Sequence, residues 1–184
     1  MTFTRPRQDS GFKMCVKIIG ALAIHRGNTV LHAQDLEGPK PRQILEILLI
    51  NFGRPVSKSS LIDLLWRDSP PQKAMASVES YVSVLRRHLQ PGYGRFGLLR
   101  TTTGGYLIDS ATVDLDLARF DSLVREAQRV GADAAYPLLM DVLSLATVPL
   151  LSDELTAVWA EEARRCRDKR PRVCVRIGRH HWQD

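Results

Sequence analysis

The spacing of apolar and polar positions predicts strands first, then three helices, then a β-hairpin. An apolar, β-branched run over residues 16–24 precedes the turn signal Gly27-Asn28, which predicts two short strands. The proline-containing segment 39–41 is expected to break the chain before a first helix begins at Arg42. Apolar residues then recur at helical spacing until a glycine and a proline end the helix at 53–55.

A second and a third helix follow. Ser57 has the side chain of a good N-cap for a short second helix. The third helix is predicted over residues 72–89, where apolar side chains recur at i, i+4, i+7 and i+11 and define one buried stripe. The members of this stripe are Val78, Val82, Leu85 and Leu89.

Two β-like runs, 98–103 and 106–109, surround Gly104-Gly105, which is a strong hairpin signal. Strands, three helices and a terminal hairpin are the layout of an α+β winged helix-turn-helix. In that layout two helices present the third to the major groove of DNA, and the hairpin, called the wing, touches the neighbouring backbone or minor groove.

The face of the third helix opposite the buried stripe has small, hydroxyl and basic side chains. Its residues are Lys73, Ala76, Ser80, Ser83, Val84 and Arg87, with Glu79 and Arg86 at the flanks. Such a face can approach a groove closely, because serine reaches base edges or phosphates and arginine pairs with phosphate or guanine. An ordinary solvated helix face is the alternative interpretation.

Charge is unevenly distributed along the 184 residues. Residues 1–106 have a net charge of +8, residues 107–163 of −8 and residues 164–184 of +6. The first block suits a polyphosphate partner, whereas the acidic block would repel one.

Four segments in this order and spacing are distinctive: 38–43 (GPKPRQ), 56–66 (VSKSSLIDLLW), 80–89 (SYVSVLRRHL) and 100–106 (RTTTGGY). Together they resemble the Streptomyces antibiotic regulatory protein (SARP) family and the related EmbR-like regulators of actinobacteria. This resemblance implies a DNA-binding domain of the OmpR/PhoB winged-helix type, binding to direct repeats near promoters, and contact with RNA polymerase.

The resemblance continues beyond the wing. Segments 113–120, 134–145, 148–151 and 159–165 resemble the family's bacterial transcriptional activator domain, an all-helical, TPR-like module that is truncated here. The predicted division is therefore an N-terminal arm over 1–15, a winged helix over 16–110, a partial activator domain over 111–165 and a basic tail over 166–184.

Two positions depart from the family pattern. Where the family often has arginine, Val84 can contact a thymine methyl group but cannot hydrogen-bond a base, which predicts a shifted recognition sequence. The tail from Arg167 onward shows no helical periodicity. An out-of-frame terminus is the favoured interpretation, and a basic DNA-contacting arm or a short extra strand are the alternatives.

The family motif assigns candidate roles by position. Candidates to face bases are Ser77, Glu79, Ser80, Ser83 and Val84; candidates for phosphate are Lys73, Arg86, Arg87 and Arg100; candidate wing contacts are Thr102 and Tyr106. Arg87 is the best single candidate, because it lies opposite the stripe. Arg86 lies nearer the flank, where pairing with Glu79 or Glu46 is the alternative, and Tyr106 has a hairpin-core alternative. Trp66 is assigned to the core.

The sequence favours neither an enzyme nor a membrane protein. It contains no nucleotide-binding glycine motif and no nucleophile elbow, and it suggests no cofactor, small-molecule substrate or metal. Its three cysteines have no paired spacing, and neither a signal peptide nor a membrane span is evident, so a cytoplasmic protein is expected. A second functional hypothesis is a protein-interaction fragment, in which residues 110–163 bind a partner and DNA binding is vestigial.

Overall fold

The computed structural model describes residues 14–93, 97–154 and 156–180, with side chains through Lys169. Seven strands and six helices occur in this part of the chain. The strands are β1 (Met14–Lys17), β2 (Ala23–Arg26), β3 (Thr29–His32), β4 (Val56–Ser57), β5 (Leu99–Thr102), β6 (Gly105–Ile108) and β7 (Val113–Leu115). The helices are α1 (Pro39–Ile50), α2 (Lys58–Trp66), α3 (Ala74–Leu89), α4 (Asp116–Ala127), α5 (Ala132–Ala146) and α6 (Val158–His180), and a 3-10 turn spans Ala33–Leu36.

The strands form two sheets. The first has the order β3-β2-β1-β7, in which β1 pairs antiparallel with β2 and parallel with β7. The predicted turn at Gly27-Asn28 joins β2 to β3, and Gly27 has a positive φ of 56° that suits glycine. The second sheet has the order β4-β6-β5. The predicted wing is therefore present, and β4, which lies immediately before α2, adds a two-residue third strand to it.

The prediction that segment 39–41 breaks the chain is wrong, because α1 begins at Pro39. Both prolines lie in the first turn, where a missing N–H costs nothing and the fixed φ of the ring suits a helix. Gly38, with a φ of 115°, precedes the helix as its N-cap. The predicted start at Arg42 was therefore three residues late.

Helices α1, α2 and α3 enclose the core of the winged helix. The predicted stripe on α3 is buried, with Val78 and Leu85 fully enclosed, and α1 contributes six buried residues besides a buried proline. Ser57 caps α2 as predicted, because its side chain accepts the Ser60 N–H at 3.0 Å. Trp66 is half-buried against this core, beside Tyr81, with a ring-centroid distance of 6.5 Å.

Helices α4, α5 and α6 follow the wing; α4 packs against β1 and β7 of the first sheet, and α5 and α6 pack against α4 and against each other. Strand β7 leads directly into α4, and the Asp116 carboxylate accepts the backbone N–H groups of Ile18 and Ile19 at 2.9–3.1 Å. Burial raises the pKa of Asp116, while these hydrogen bonds act in the opposite direction. Because β1 pairs with β7, the first sheet contains strands from both sides of the predicted domain boundary at residue 110. The division into domains stays a prediction.

The tail beyond Arg165 is not a strand, so that alternative is wrong. Helix α6 continues from Val158 to His180. At its start, Arg164 and Arg167 donate to backbone carbonyls of Leu150 and Val148, which fixes α6 to the preceding segment. The calls on residues 1–13 and 181–184 lie outside the described residues.

None of the helices in the described ranges is long and apolar enough to cross a membrane.

A buried carboxyl group lies where α1 meets the segment before α6. Glu46 is 0% exposed, and neither of its carboxyl oxygens has a hydrogen-bond partner within the described part of the chain. The Arg42 guanidinium lies 3.6 Å from Glu46, yet it is hydrogen-bonded at 2.7 Å to Glu154, which is also buried. Burial raises the pKa of Glu46 to about 8, against the opposing effect of Arg42.

Glu46→Gln is expected to remove a pH dependence from stability. The folded carboxyl binds a proton more tightly than the unfolded one, so the free energy of unfolding falls as pH rises from the ordinary pKa of 4.5 to about 8. The slope of this contribution is about 1.4 kcal/mol per pH unit. Urea unfolding near pH 5 and pH 8.5 should show the variant gaining on the wild type at high pH. Parallel pH profiles for the two proteins would contradict this assignment, and Glu126→Gln on exposed α4 surface is the control.

Candidate nucleic-acid interface

Helix α3 exposes the face that the sequence predicts. Ser80, Ser83 and Arg87 are exposed along it, whereas the opposite stripe is buried, and Val84 is half-buried at one edge. Lys73 is exposed at the N-cap, one residue before the helix begins. The centre of this face therefore presents small hydroxyl side chains, and a cation stands toward either end.

Two serine hydroxyls on α3 already donate to the helix backbone. Ser77 Oγ donates to the Lys73 carbonyl at 3.2 Å, and Ser83 Oγ donates to the Glu79 carbonyl at 2.9 Å. Each hydroxyl oxygen keeps lone pairs that can accept a hydrogen bond from a base amino group. In this arrangement Ser83 is therefore an acceptor toward a groove.

Arg86 holds the wing against α3. Its guanidinium donates to the Leu99 carbonyl at 3.2–3.3 Å and to Thr101 Oγ1 at 2.7 Å, and it lies 5.9 Å from the centre of the Tyr106 ring. Of the carboxylates weighed as alternative partners of Arg86, Glu79 pairs with Lys58 and Glu46 lies beside Arg42. Arg86 thus acts on the position of the wing.

Tyr106 belongs to the hairpin core, which was the alternative interpretation of this residue. It is 4% exposed, and burial raises the pKa of its hydroxyl. The prediction that Tyr106 contacts DNA from the wing does not fit this position, because the ring lies beneath the cations of Arg86 and Lys58.

The best single candidate, Arg87, is exposed but engaged. It is 66% exposed and donates to both carboxylate oxygens of Glu37, at 3.1 and 3.3 Å. His88 Nε2 lies 2.7 Å from the same carboxylate. The hydrogen bond from His88 and the charge of Arg87 hold the pKa of Glu37 below its ordinary value.

Lys58 is a cation at the interface that the candidate set missed. Its ammonium group pairs with Glu79, and this hydrogen bond raises the pKa of Lys58. The Lys58 backbone N–H donates to the Gly104 carbonyl at 2.9 Å, so the residue lies where α2, α3 and the wing turn meet. The sequence could have indicated Lys58, because this residue directly follows the N-cap Ser57 within the segment that resembles the family.

The wing strand β5 presents Arg100 and a run of threonines. Arg100 is 53% exposed and pairs with Asp109. The Thr102 hydroxyl is buried and has no hydrogen-bond partner among the described residues, while Thr101 and Thr103 on either side are exposed. The structure therefore turns the Thr102 hydroxyl away from solvent.

Comparison with known proteins agrees with this architecture. The family described as "Transcriptional regulatory protein, C terminal" matches residues 35–108, from the 3-10 turn before α1 to the end of β6. Regulatory protein DnrI of Streptomyces peucetius is 30% identical over 122 residues, covering 63% of this chain and 44% of DnrI. Transcriptional regulator RedD of Streptomyces coelicolor is 30% identical over 158 residues, covering 83% of this chain and 43% of RedD.

A solved structure of EmbR from Mycobacterium tuberculosis, in complex with a low-affinity phosphopeptide, has the same fold. It superposes with a TM-score of 0.72 at 28% identity, covering 88% of this chain and 43% of EmbR. The chain thus spans less than half the length of each of these three relatives.

The region 35–108 is therefore a winged-helix domain of the OmpR/PhoB type, followed by a helical module. Over these residues the chain is similar to SARP and EmbR-like transcriptional regulators, which confirms the resemblance found in the sequence.

Proposed function

We propose that this chain binds double-stranded DNA sequence-specifically and regulates the initiation of transcription. In this proposal α3 enters the major groove and the wing lies on the backbone. The observation that carries it is the exposed face of α3, where hydroxyl and basic side chains stand opposite a fully buried stripe. Ser80 and Ser83 lie at the centre of that face, where a close approach to base edges requires small side chains.

The proposed contacts divide into two sets. Base edges are assigned to Ser77, Glu79, Ser80, Ser83 and Val84, and phosphates are assigned to Lys58, Lys73, Arg87 and Arg100. Arg86 and Tyr106 are assigned to positioning the wing instead. On the wing, the exposed Thr101 and Thr103 are better placed for the backbone than Thr102, whose hydroxyl is buried.

The partners beyond a single DNA site come from the family likeness. Binding to direct repeats would place copies head to tail, and contact with RNA polymerase would use surfaces outside the groove. We propose that this takes place in the cytoplasm, with the winged helix over 16–110 and the helical module over 111–165 joined by the pairing of β1 with β7. The alternative, a protein-interaction fragment with vestigial DNA binding, predicts that changes on α3 leave DNA affinity unchanged.

Arg87→Ala is expected to weaken binding about three- to tenfold, and equally for every duplex sequence, because a phosphate contact carries no base information. Fluorescence anisotropy with a labelled duplex at fixed salt measures the effect. Arg119→Ala on α4 is the matched control, since Arg119 is 67% exposed and pairs with Asp114, as Arg87 pairs with Glu37. Unchanged affinity for Arg87→Ala, with the control also unchanged, would rule out the proposed docking of α3.

A further inference from the structure

Glu37 brings a carboxylate from outside the helix-turn-helix to the C-terminal end of α3. It follows the 3-10 turn, has a φ of 55° and precedes Gly38 at 115°, so the backbone reverses between the first sheet and α1. Its side chain remains 49% exposed while it pairs with Arg87 and His88 together. Among the described residues, the Glu37 carboxylate makes no hydrogen bond within the 3-10 turn or with its neighbours in sequence.

The Glu37 carboxylate offers Arg87 what a DNA phosphate offers. Two oxygens accept from one guanidinium nitrogen, at 3.1 and 3.3 Å, and a charge of −1 faces a charge of +1. A phosphate presents the same pair of anionic oxygens to arginine. The same guanidinium nitrogen cannot donate to the Glu37 carboxylate and to a phosphate on the same side at once. A phosphate that approaches Arg87 from this side must therefore displace the Glu37 carboxylate.

We propose that Glu37 is an internal stand-in for a DNA phosphate, which occupies Arg87 in the free protein and is displaced when DNA binds. The inference rests on the proposed DNA binding and adds to it a residue that lowers the affinity for every duplex. Every complex loses the Glu37 contact. Complexes held by charge alone have no base contacts to offset that loss, so they dissociate at concentrations where a specific complex persists.

Two neighbouring cations show the same arrangement. Lys58 pairs with Glu79, and Arg100 pairs with Asp109. Asp109 is 14% exposed and also accepts the Ala111 N–H at 3.0 Å, so it serves the turn after β6 as well. Glu37 is the clearest case, because within the described residues its carboxylate is hydrogen-bonded only to the two side chains at the end of α3.

Glu37→Gln tests the proposal against a matched loss of charge. The variant should bind a random-sequence duplex about two- to fivefold more tightly, the range set by an exposed ion pair. Asp35→Asn is the control, because it removes the same charge two residues away. Asp35 accepts the His32 N–H at 2.7 Å, which asparagine can still do. The control should show less than half of the gain.

A double-variant cycle separates displacement from general repulsion. In the Arg87→Ala background, Glu37→Gln should lose most of its effect, since the cation that it competes for is absent. Equal gains for Glu37→Gln and Asp35→Asn, a full gain without Arg87, or weaker binding by Glu37→Gln would each overturn the inference. If the wild type binds DNA and Arg87→Ala weakens it, such a result leaves the proposed function standing. A wild type that binds no duplex overturns both.

Discussion

Replacing Ser83 with glutamate is expected to reduce DNA affinity by about a hundredfold or more while leaving the fold intact. Ser83 is exposed at the centre of the α3 face, and among the described residues its hydroxyl is hydrogen-bonded only to the Glu79 carbonyl of its own helix. A glutamate there adds length and negative charge toward a groove lined by phosphates. A like-charge contact of this kind costs several kcal/mol, and each 1.4 kcal/mol is about tenfold in affinity.

Ser122→Glu is the matched control for Ser83→Glu. Ser122 is exposed on α4, outside the winged helix, so the same chemical change should leave DNA affinity within about twofold. Anisotropy titrations and thermal unfolding of both variants measure affinity and fold in parallel. Equal affinity for the two variants would mean that α3 does not face DNA.

Gly105→Ala is expected to cost about 3 kcal/mol or more in the free energy of unfolding and to displace the wing. A Cβ at this position would lie 2.1 Å from the Val56 carbonyl oxygen and 2.8 Å from its carbon. Both atoms belong to the backbone of β4, which pairs with β6 through Val56↔Tyr106 and Ser57↔Gly105. The methyl group therefore cannot be accommodated by rotating a side chain, and the two strands must separate.

Gly104→Ala separates this steric effect from the ordinary cost of replacing a glycine. Gly104 has a φ of 81°, yet a Cβ there would meet nothing within 4 Å. Its replacement should cost only about 1 kcal/mol, from the left-handed backbone conformation. Urea unfolding compares the two variants. An equal loss at both positions would show that the β4–β6 contact does not constrain Gly105.

Local periodicity was sufficient to predict the elements that form the winged helix. The stripe on α3 and the glycine pair of the wing are properties of short segments, and the structure has both. Segment 39–41 was misinterpreted because a proline ends a helix in its interior but begins one in its first turn. Local pattern alone could not decide between these two positions.

Contacts between residues far apart in the chain could not be predicted from the sequence. Glu37 and Arg87 lie 50 residues apart, and the packing of the 3-10 turn against α3 brings them together. The role of Arg86 likewise depends on the Leu99 carbonyl of the wing. The pairing of β1 with β7 joins residues about 100 positions apart, and no hydrophobic period encodes that choice of partner. Charge and face were predictable for these side chains, but their partners were not.

Whether α3 reads bases is tested by a selection from random-sequence duplexes on the purified protein. The selection is run at two salt concentrations, because charge-driven binding weakens steeply with salt and base contacts do not. We expect one repeated motif to be enriched at both concentrations and to be lost with Ser83→Glu. Binding without sequence preference that collapses at the higher salt would contradict base reading by α3 and would favour the protein-interaction alternative.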